Sequence, residues 1–227
     1  MGILLLACML LFCRAEAGAA LLYVPAQYPD IQIALNAADD GDTVLVAPGI
    51  YRGPGNRNLD FRGKALALIG EAGASATLLD CEGRGRGFCF ENGEGDGSVL
   101  CGFTVLSGSA LGLGSGGKGA GVYCGGASPR IVACLFTGGE ALFGGGLAAE
   151  WDARPALVGC VFTDNRAYLD GGAVFFFGGG GIWQDCVLRG NEAEGAGPDA
   201  YLCAAWPIML RCRFDADPLP EGLLANP

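Results

Sequence analysis

The sequence predicts an all-β fold: a single-stranded parallel β-helix, or solenoid, whose short strands wind into stacked coils behind a short N-terminal capping helix. Three observations predict it. Cys134, Cys160, Cys186 and Cys212 recur every 26 residues. Their flanks recur in phase: Phe136, Phe162, Leu188 and Phe214 two residues after each, and Ile131, Leu157, Trp183 and Met209 three before. Apolar residues come in short alternations between glycine turns, never with a helical period. A unit with two or three short strands cannot bury its apolar face alone, and stacking unit on unit solves that problem. Residues of one column then pile up at strand spacing, about 4.8 Å.

The chain begins MGILLLACMLLFCRAEAGAA. Residues 2–13 form an apolar run of signal-peptide length, too short to span a bilayer, and AEA at 15–17 fits a cleavage site. Residues 1–17 are therefore expected to be a signal peptide, although no Lys or Arg precedes the run. LLAC at 5–8 resembles a lipoprotein box only faintly, because the apolar run continues past Cys8. The mature protein is expected to be secreted or held at the cell surface. No later apolar stretch is long enough for a membrane span.

Residues 18–42 read as an N-terminal cap. YPDIQIALNAADDGD holds a short amphipathic helix with Ile31, Leu35 and Ala38 on one face, suited to covering the first coil. Residues 43–217 read as the β-helix, with 26-residue coils clearest from 120 to 217. TVLV, ALALIG, ATLLD, GFCF and VLCGFTVLSG supply earlier strands, and LGLGSGGKGAG (111–121) is an insertion. Gly139, Asn165, Asn191 and Asp217 form a turn column in which an Asn amide can bond the next coil's backbone. Val122, Leu147, Val174 and Tyr201 read as a second apolar anchor whose drifting spacing is absorbed by loops. Residues 218–227, a proline-broken tail, supply no evident cap. Either the last coil is poorly covered or the natural protein continues.

VPAQYPDIQIALNAADDGDTVLVAPGIY (24–51) resembles the cap and first coil of secreted right-handed parallel β-helix proteins, the pectin-lyase-like group that includes pectinesterases. GGAV (171–174) and FTDN (162–165) resemble the GGA-I/L/V and F-x-x-N repeats of polymorphic outer membrane proteins. LRGN (188–191), GGGL (144–147) and GAGV (119–122) are looser copies. The resemblance spans roughly residues 22–217 and implies the right-handed coil. It does not imply an activity, because this fold carries enzymes, adhesins and structural proteins alike.

Composition narrows the function. The net charge is −10 with no basic run, which argues against nucleic-acid partners. The chain has no histidine. That removes Ser-His-Asp and Cys-His nucleophiles, His-ligated zinc and imidazole bases. The paired catalytic aspartates of pectinesterases are absent, and no catalytic residue is assigned. No cofactor or metal is assigned either. Calcium has no supporting motif, and Asp39, Asp40 and Asp42 read better as a solvated turn than as its ligands. GLGSGGKG (112–119) approaches a phosphate loop but has Gly119 where Ser or Thr should hold Mg²⁺. Arg84 and Arg86 read as a surface turn. Asp164, Asp170 and Asp185 offer carboxylates that could form a glycosidase pair only if they converge.

Nine cysteines follow the signal peptide. The ladder Cys134–Cys212 is expected to be an unpaired core column. Cys81 with Cys89 or Cys101 is the better disulfide candidate in an oxidising compartment. By alternation, Tyr123, Ala148, Phe175 and Leu202 point outward with Phe177, forming an apolar contact strip; in the opposite phase they would be core. The candidate binding surface is Tyr123, Asp164, Arg166, Tyr168, Asp170, Phe175 and Phe177. The expected function is non-catalytic adhesion, or binding of an extracellular polysaccharide or cell-surface protein, through the solenoid face. The alternative is a polysaccharide lyase or hydrolase using carboxylates and Arg.

Overall fold

The computed structural model describes residues 18–214. The expected signal peptide, residues 215–217 of the expected β-helix and the tail 218–227 lie outside them. The described residues form a parallel β-solenoid of about seven turns, as the repeat predicts. Three parallel sheets run its length: sheet 1 with eight strands, sheet 2 with seven and sheet 3 with six. Each full coil visits them in that order. One coil runs through Ala156–Val158 in sheet 1, Val161–Thr163 in sheet 2 and Val174–Phe177 in sheet 3, then returns to sheet 1 at Ile182–Gln184.

The 26-residue columns are the ladders of these sheets. Ile131 pairs with Leu157, Leu157 with Trp183 and Trp183 with Met209 in sheet 1. Phe136 pairs with Phe162 and Phe162 with Leu188 in sheet 2, and the two Phe rings stack at 5.0 Å. Cys134, Cys160 and Cys186 are buried at the corner between sheets 1 and 2. The Cys160 thiol donates to the Ile131 carbonyl at 3.3 Å, and the Cys186 and Cys212 thiols repeat that contact one coil further on. Asn165 and Asn191 are buried at the next corner. Asn165 Oδ1 accepts from the Gly139 amide at 3.0 Å, and its Nδ2 donates to the Phe136 carbonyl at 3.0 Å. The Asn column therefore satisfies backbone groups that the corner would otherwise strand.

The helix spans Ile31–Ala37. Asp30 caps it, accepting from the Ile33 amide at 2.8 Å, and Ile31, Ala34 and Leu35 are buried against the first coil. Gln32 locks it sideways, donating to the Asp60 carbonyl and accepting from the Asp60 amide. Asp42 and Asp40 stand as turn braces: Asp42 accepts from the Ala20 and Asp39 amides, and Asp40 from the Ala65 amide.

Two expectations need correction. Val174 pairs with Ala200, not with Tyr201, and Tyr201 lies beside Phe175. The larger apolar residue attracted the anchor assignment, and a one-residue slip moved its side chain to the opposite face. The second correction concerns the cysteines. Cys81 and Cys89 are both free thiols. Cys81 lies in the interior core, Cys101 on the outer face of sheet 1, and Cys89 on the outer face of sheet 3. Sheets separate the candidate partners, so no disulfide geometry is within reach.

Candidate functional site

In the coils from Val122 onward the corners take left-handed residues. At the corner leaving sheet 3, coil by coil, these are Gly126, Trp151, Gly178 and Ala204. Trp151, at φ 62°, is the bulky exception, and Asp152 follows it at φ 58°. A left-handed conformation costs a non-glycine residue about 1–2 kcal/mol. The same coil also carries a local irregularity. Six steps lead from Glu150 to Ala156, where five lead from Gly125 to Arg130, from Phe177 to Ile182 and from Cys203 to Ile208. The same coil is one residue short earlier, with six steps from Ala141 to Leu147 against seven from Ala167 to Val174. The coil thus carries a deletion and a compensating insertion, and both border the outer face of sheet 3. Trp151 is 73% exposed there.

That face is not bare. Tyr123, Ala148 and Phe175 point outward, away from the main core, yet are buried in a second apolar cluster with Phe143, Cys89 and Tyr201 around it. Tyr123 is 3% exposed. The cover is the insertion that begins after Leu106 and ends before Val122. Its Gly119 amide donates to the Phe143 carbonyl at 3.0 Å, and its Gly117 carbonyl accepts from the Leu142 amide at 2.8 Å. Arg86, buried beside it, donates from Nε to the Lys118 carbonyl at 2.8 Å and from an Nη to the Gly114 carbonyl at 2.7 Å. The guanidinium also lies 5.3 Å from the Tyr123 ring centre. Burial pushes the Arg86 pKa down.

Beside this cover lies an open groove of about 630 Å³. Its aromatic wall is Phe143, Trp151, Phe175, Phe177 and Tyr201. Phe143 and Phe175 meet at 4.8 Å, and Phe175 stacks on Tyr201 at 5.7 Å with planes 5° apart. Phe177 is 54% exposed. The charged lining is Lys118, Glu150, Asp152 and Asp170. Glu150 is fully engaged: Oε2 meets Lys118 Nζ at 2.6 Å and Oε1 accepts from the Tyr123 hydroxyl at 2.5 Å. Burial raises the Tyr123 pKa first, and the bond to Glu150 raises it further, partly offset by polar contact from Ser115 and Trp151. Asp170 accepts from the Ala196 amide at 2.8 Å through Oδ1 alone. Asp152 is exposed and has no hydrogen bond or ion pair among the described residues.

The structure divides the seven sequence-predicted residues. Phe175, Phe177 and Asp170 line the groove, and Tyr123 lies beneath it as a bonded buttress rather than a contact surface. Asp164 and Arg166 line a separate, smaller hollow with Glu140 and Glu192, and Tyr168 lies against Arg166. Asp164 itself takes the left-handed corner position held by Gly138 and Gly190 in neighbouring coils, which accounts for a short polar residue there. Arg166 pairs with Glu194 at 2.8 Å on the open surface. Sequence reasoning missed Phe143, Glu150, Trp151, Asp152 and Arg86. The drifting spacing of the second anchor was the signal for the first four. Arg86, read as a surface-turn residue, is instead a buried brace. Lys118, the lysine of the phosphate-loop-like stretch, is occupied by Glu150.

No protein-family model matches the chain, and no curated protein matches it. Among solved structures, it is similar to a pectin methylesterase from Aspergillus niger in deglycosylated form, with 13% identity and a TM-score of 0.43, over 89% of this chain and 87% of that one. A penultimately deglycosylated form of that enzyme aligns over the same shares at 13% identity and a TM-score of 0.34. No helix among the described residues is long and apolar enough to cross a membrane.

Proposed function

We propose that this is an exported binding protein that holds a carbohydrate chain in the groove outside sheet 3. The observation that carries the reading is Trp151: a large, exposed indole in a left-handed conformation at a corner that adjacent coils fill with Gly126 and Gly178. Backbone strain held in an exposed aromatic residue is a mark of functional sites. Around it, the exposed Phe177 and the half-buried Tyr201, backed by the buried Phe175, present apolar surface with carboxylates at the rim, which suits a sugar's apolar face and hydroxyl edge. The apolar run at residues 2–13 supports export, and an adhesive role on a surface glycan follows from the same contacts.

The engagement of Glu150 and Arg86 favours binding over bond cleavage. Both oxygens of Glu150 are bonded, and the guanidinium of Arg86 is directed into the insertion's carbonyls rather than into the groove. The test is a panel of soluble oligosaccharides titrated against the mature chain and its Trp151→Ala variant. The reading expects at least one oligosaccharide to bind and Trp151→Ala to weaken it about tenfold, since base- or ring-stacking contacts contribute about 0.5–1.5 kcal/mol and this indole adds its buried area. Release of shortened products from any member of the panel would instead establish the lyase or hydrolase reading.

A further inference from the structure

The charge of the groove specifies its ligand further than its shape does. Lys118 is the one cation of the lining and is already paired with Glu150. Asp152 and Asp170 remain without a cationic partner, Asp152 wholly open and Asp170 with only one oxygen used. Trp151 and Phe177, the exposed aromatic residues of the wall, offer ring faces that carry negative potential, backed by the buried Phe175 and its neighbours. Every unsatisfied electrostatic feature of the site therefore attracts positive charge and repels negative charge, and the whole chain, at −10, does the same at longer range.

Resting on the carbohydrate-binding reading above, we infer that the ligand is a cationic glycan, a chain of amino sugars whose nitrogens are free rather than acetylated. The aromatic wall takes the apolar sugar faces, and Asp152 and Asp170 take the ammonium groups. A uronate chain would bring its carboxylates against these two and meets no free cation in the lining. A lysine-rich peptide would satisfy the carboxylates but would leave the flat ring faces without matching rings.

The experiment is calorimetric titration of the full mature chain with four probes: glucosamine hexamer, N-acetylglucosamine hexamer, galacturonate hexamer and hexalysine, at a pH where the sugar amines are protonated and at two salt concentrations. The expected result is glucosamine hexamer binding about tenfold tighter than the N-acetylated hexamer. Two rim carboxylate contacts at about two- to fivefold each give that ratio. Added salt should shrink the preference. Asp152→Asn/Asp170→Asn should abolish the preference, bringing the two glucosamine forms to equal affinity, while leaving the thermal melt unchanged, because Asn tolerates the left-handed corner at 152 and at 170 still accepts from the Ala196 amide. Equal binding of both glucosamine forms, or tighter binding of galacturonate, overturns the cationic ligand and leaves the carbohydrate reading standing. Hexalysine binding as tightly as glucosamine hexamer overturns the sugar part. Binding of no oligosaccharide overturns both readings.

Discussion

Replacing Arg86 with Met should unlatch the insertion that covers sheet 3 without unfolding the coils. Met keeps the length and apolar bulk of the side chain but removes the donors to the Gly114 and Lys118 carbonyls and the contact with Tyr123. Hydrogen bonds from a charged donor contribute about 1.5–3 kcal/mol each and the ring contact about 0.5–1 kcal/mol. Relief of the guanidinium's desolvation offsets part of that sum, and the net loss is about 2–4 kcal/mol. It falls on a local opening, because the core ladders do not involve Arg86. The assay is native-state hydrogen exchange. The Gly119 amide, bonded to Phe143, and the Leu142 amide, bonded to Gly117, should exchange about 30- to 900-fold faster. The Val161 and Val187 amides, bonded to Cys134 and Cys160 in the coil stack, should keep their rates. Unchanged exchange at Gly119 and Leu142, or an equal rise at all four amides, would refute the latch.

Asn165→Ala leaves the Gly139 amide buried without its side-chain partner, removes the bonds to the Phe136 carbonyl and to Asn191, and should cost about 2–4 kcal/mol in urea unfolding; a loss below about 1 kcal/mol would mean the Asn column does not hold the corner. Alkylation of the denatured but unreduced chain followed by peptide mapping should find Cys81 and Cys89 both modified, and a disulfide joining them would contradict their separation by sheets. Tyr123 and Tyr51 both have raised phenol pKa values, by burial first and then by Glu150 and Glu71 respectively. A raised folded pKa contributes stability that is full below the unfolded phenol's value of about 10 and is lost as pH rises through the folded one. Stability should therefore hold to about pH 10 and fall above it, less steeply in Tyr123→Phe. Simultaneous ionisation of all tyrosines near pH 10 in the native protein would contradict this.

The interior of the solenoid was legible because repetition fixes it. Ile131, Cys134, Phe136 and Asn165 each have a counterpart one coil away, and a column that stacks on itself announces its own burial. The site was legible only in part, for the opposite reason. Phe175 and Phe177 were found because alternation puts them outside. Trp151 holds a corner position that neighbouring coils fill with Gly126, Gly178 and Ala204, so its column announces a turn and not an aromatic contact, and Asp152 follows it where this coil carries an extra residue. Tyr201 was misplaced because size outweighed register in choosing between it and Ala200. The burial of Arg86 depends on an insertion more than twenty residues away in sequence, a contact that local pattern does not encode.

In the coils that follow Leu106, the places where the chain departs from its 26-residue period are not scattered. The long insertion precedes Val122, the missing residue lies between Ala141 and Leu147, and the extra residue falls at Trp151–Asp152. All three border the outer face of sheet 3, while the corners at Cys160 and Asn165 keep the 26-residue spacing. In a stack where each coil contacts only its neighbours, an irregularity costs locally and could be carried anywhere along the length. Their convergence on one face produces the one part of that sheet where aromatic rings, an unpaired carboxylate and a left-handed tryptophan meet. Local rules broken together at one place, with the following coils obeying them, are the pattern expected of a site shaped by what it binds.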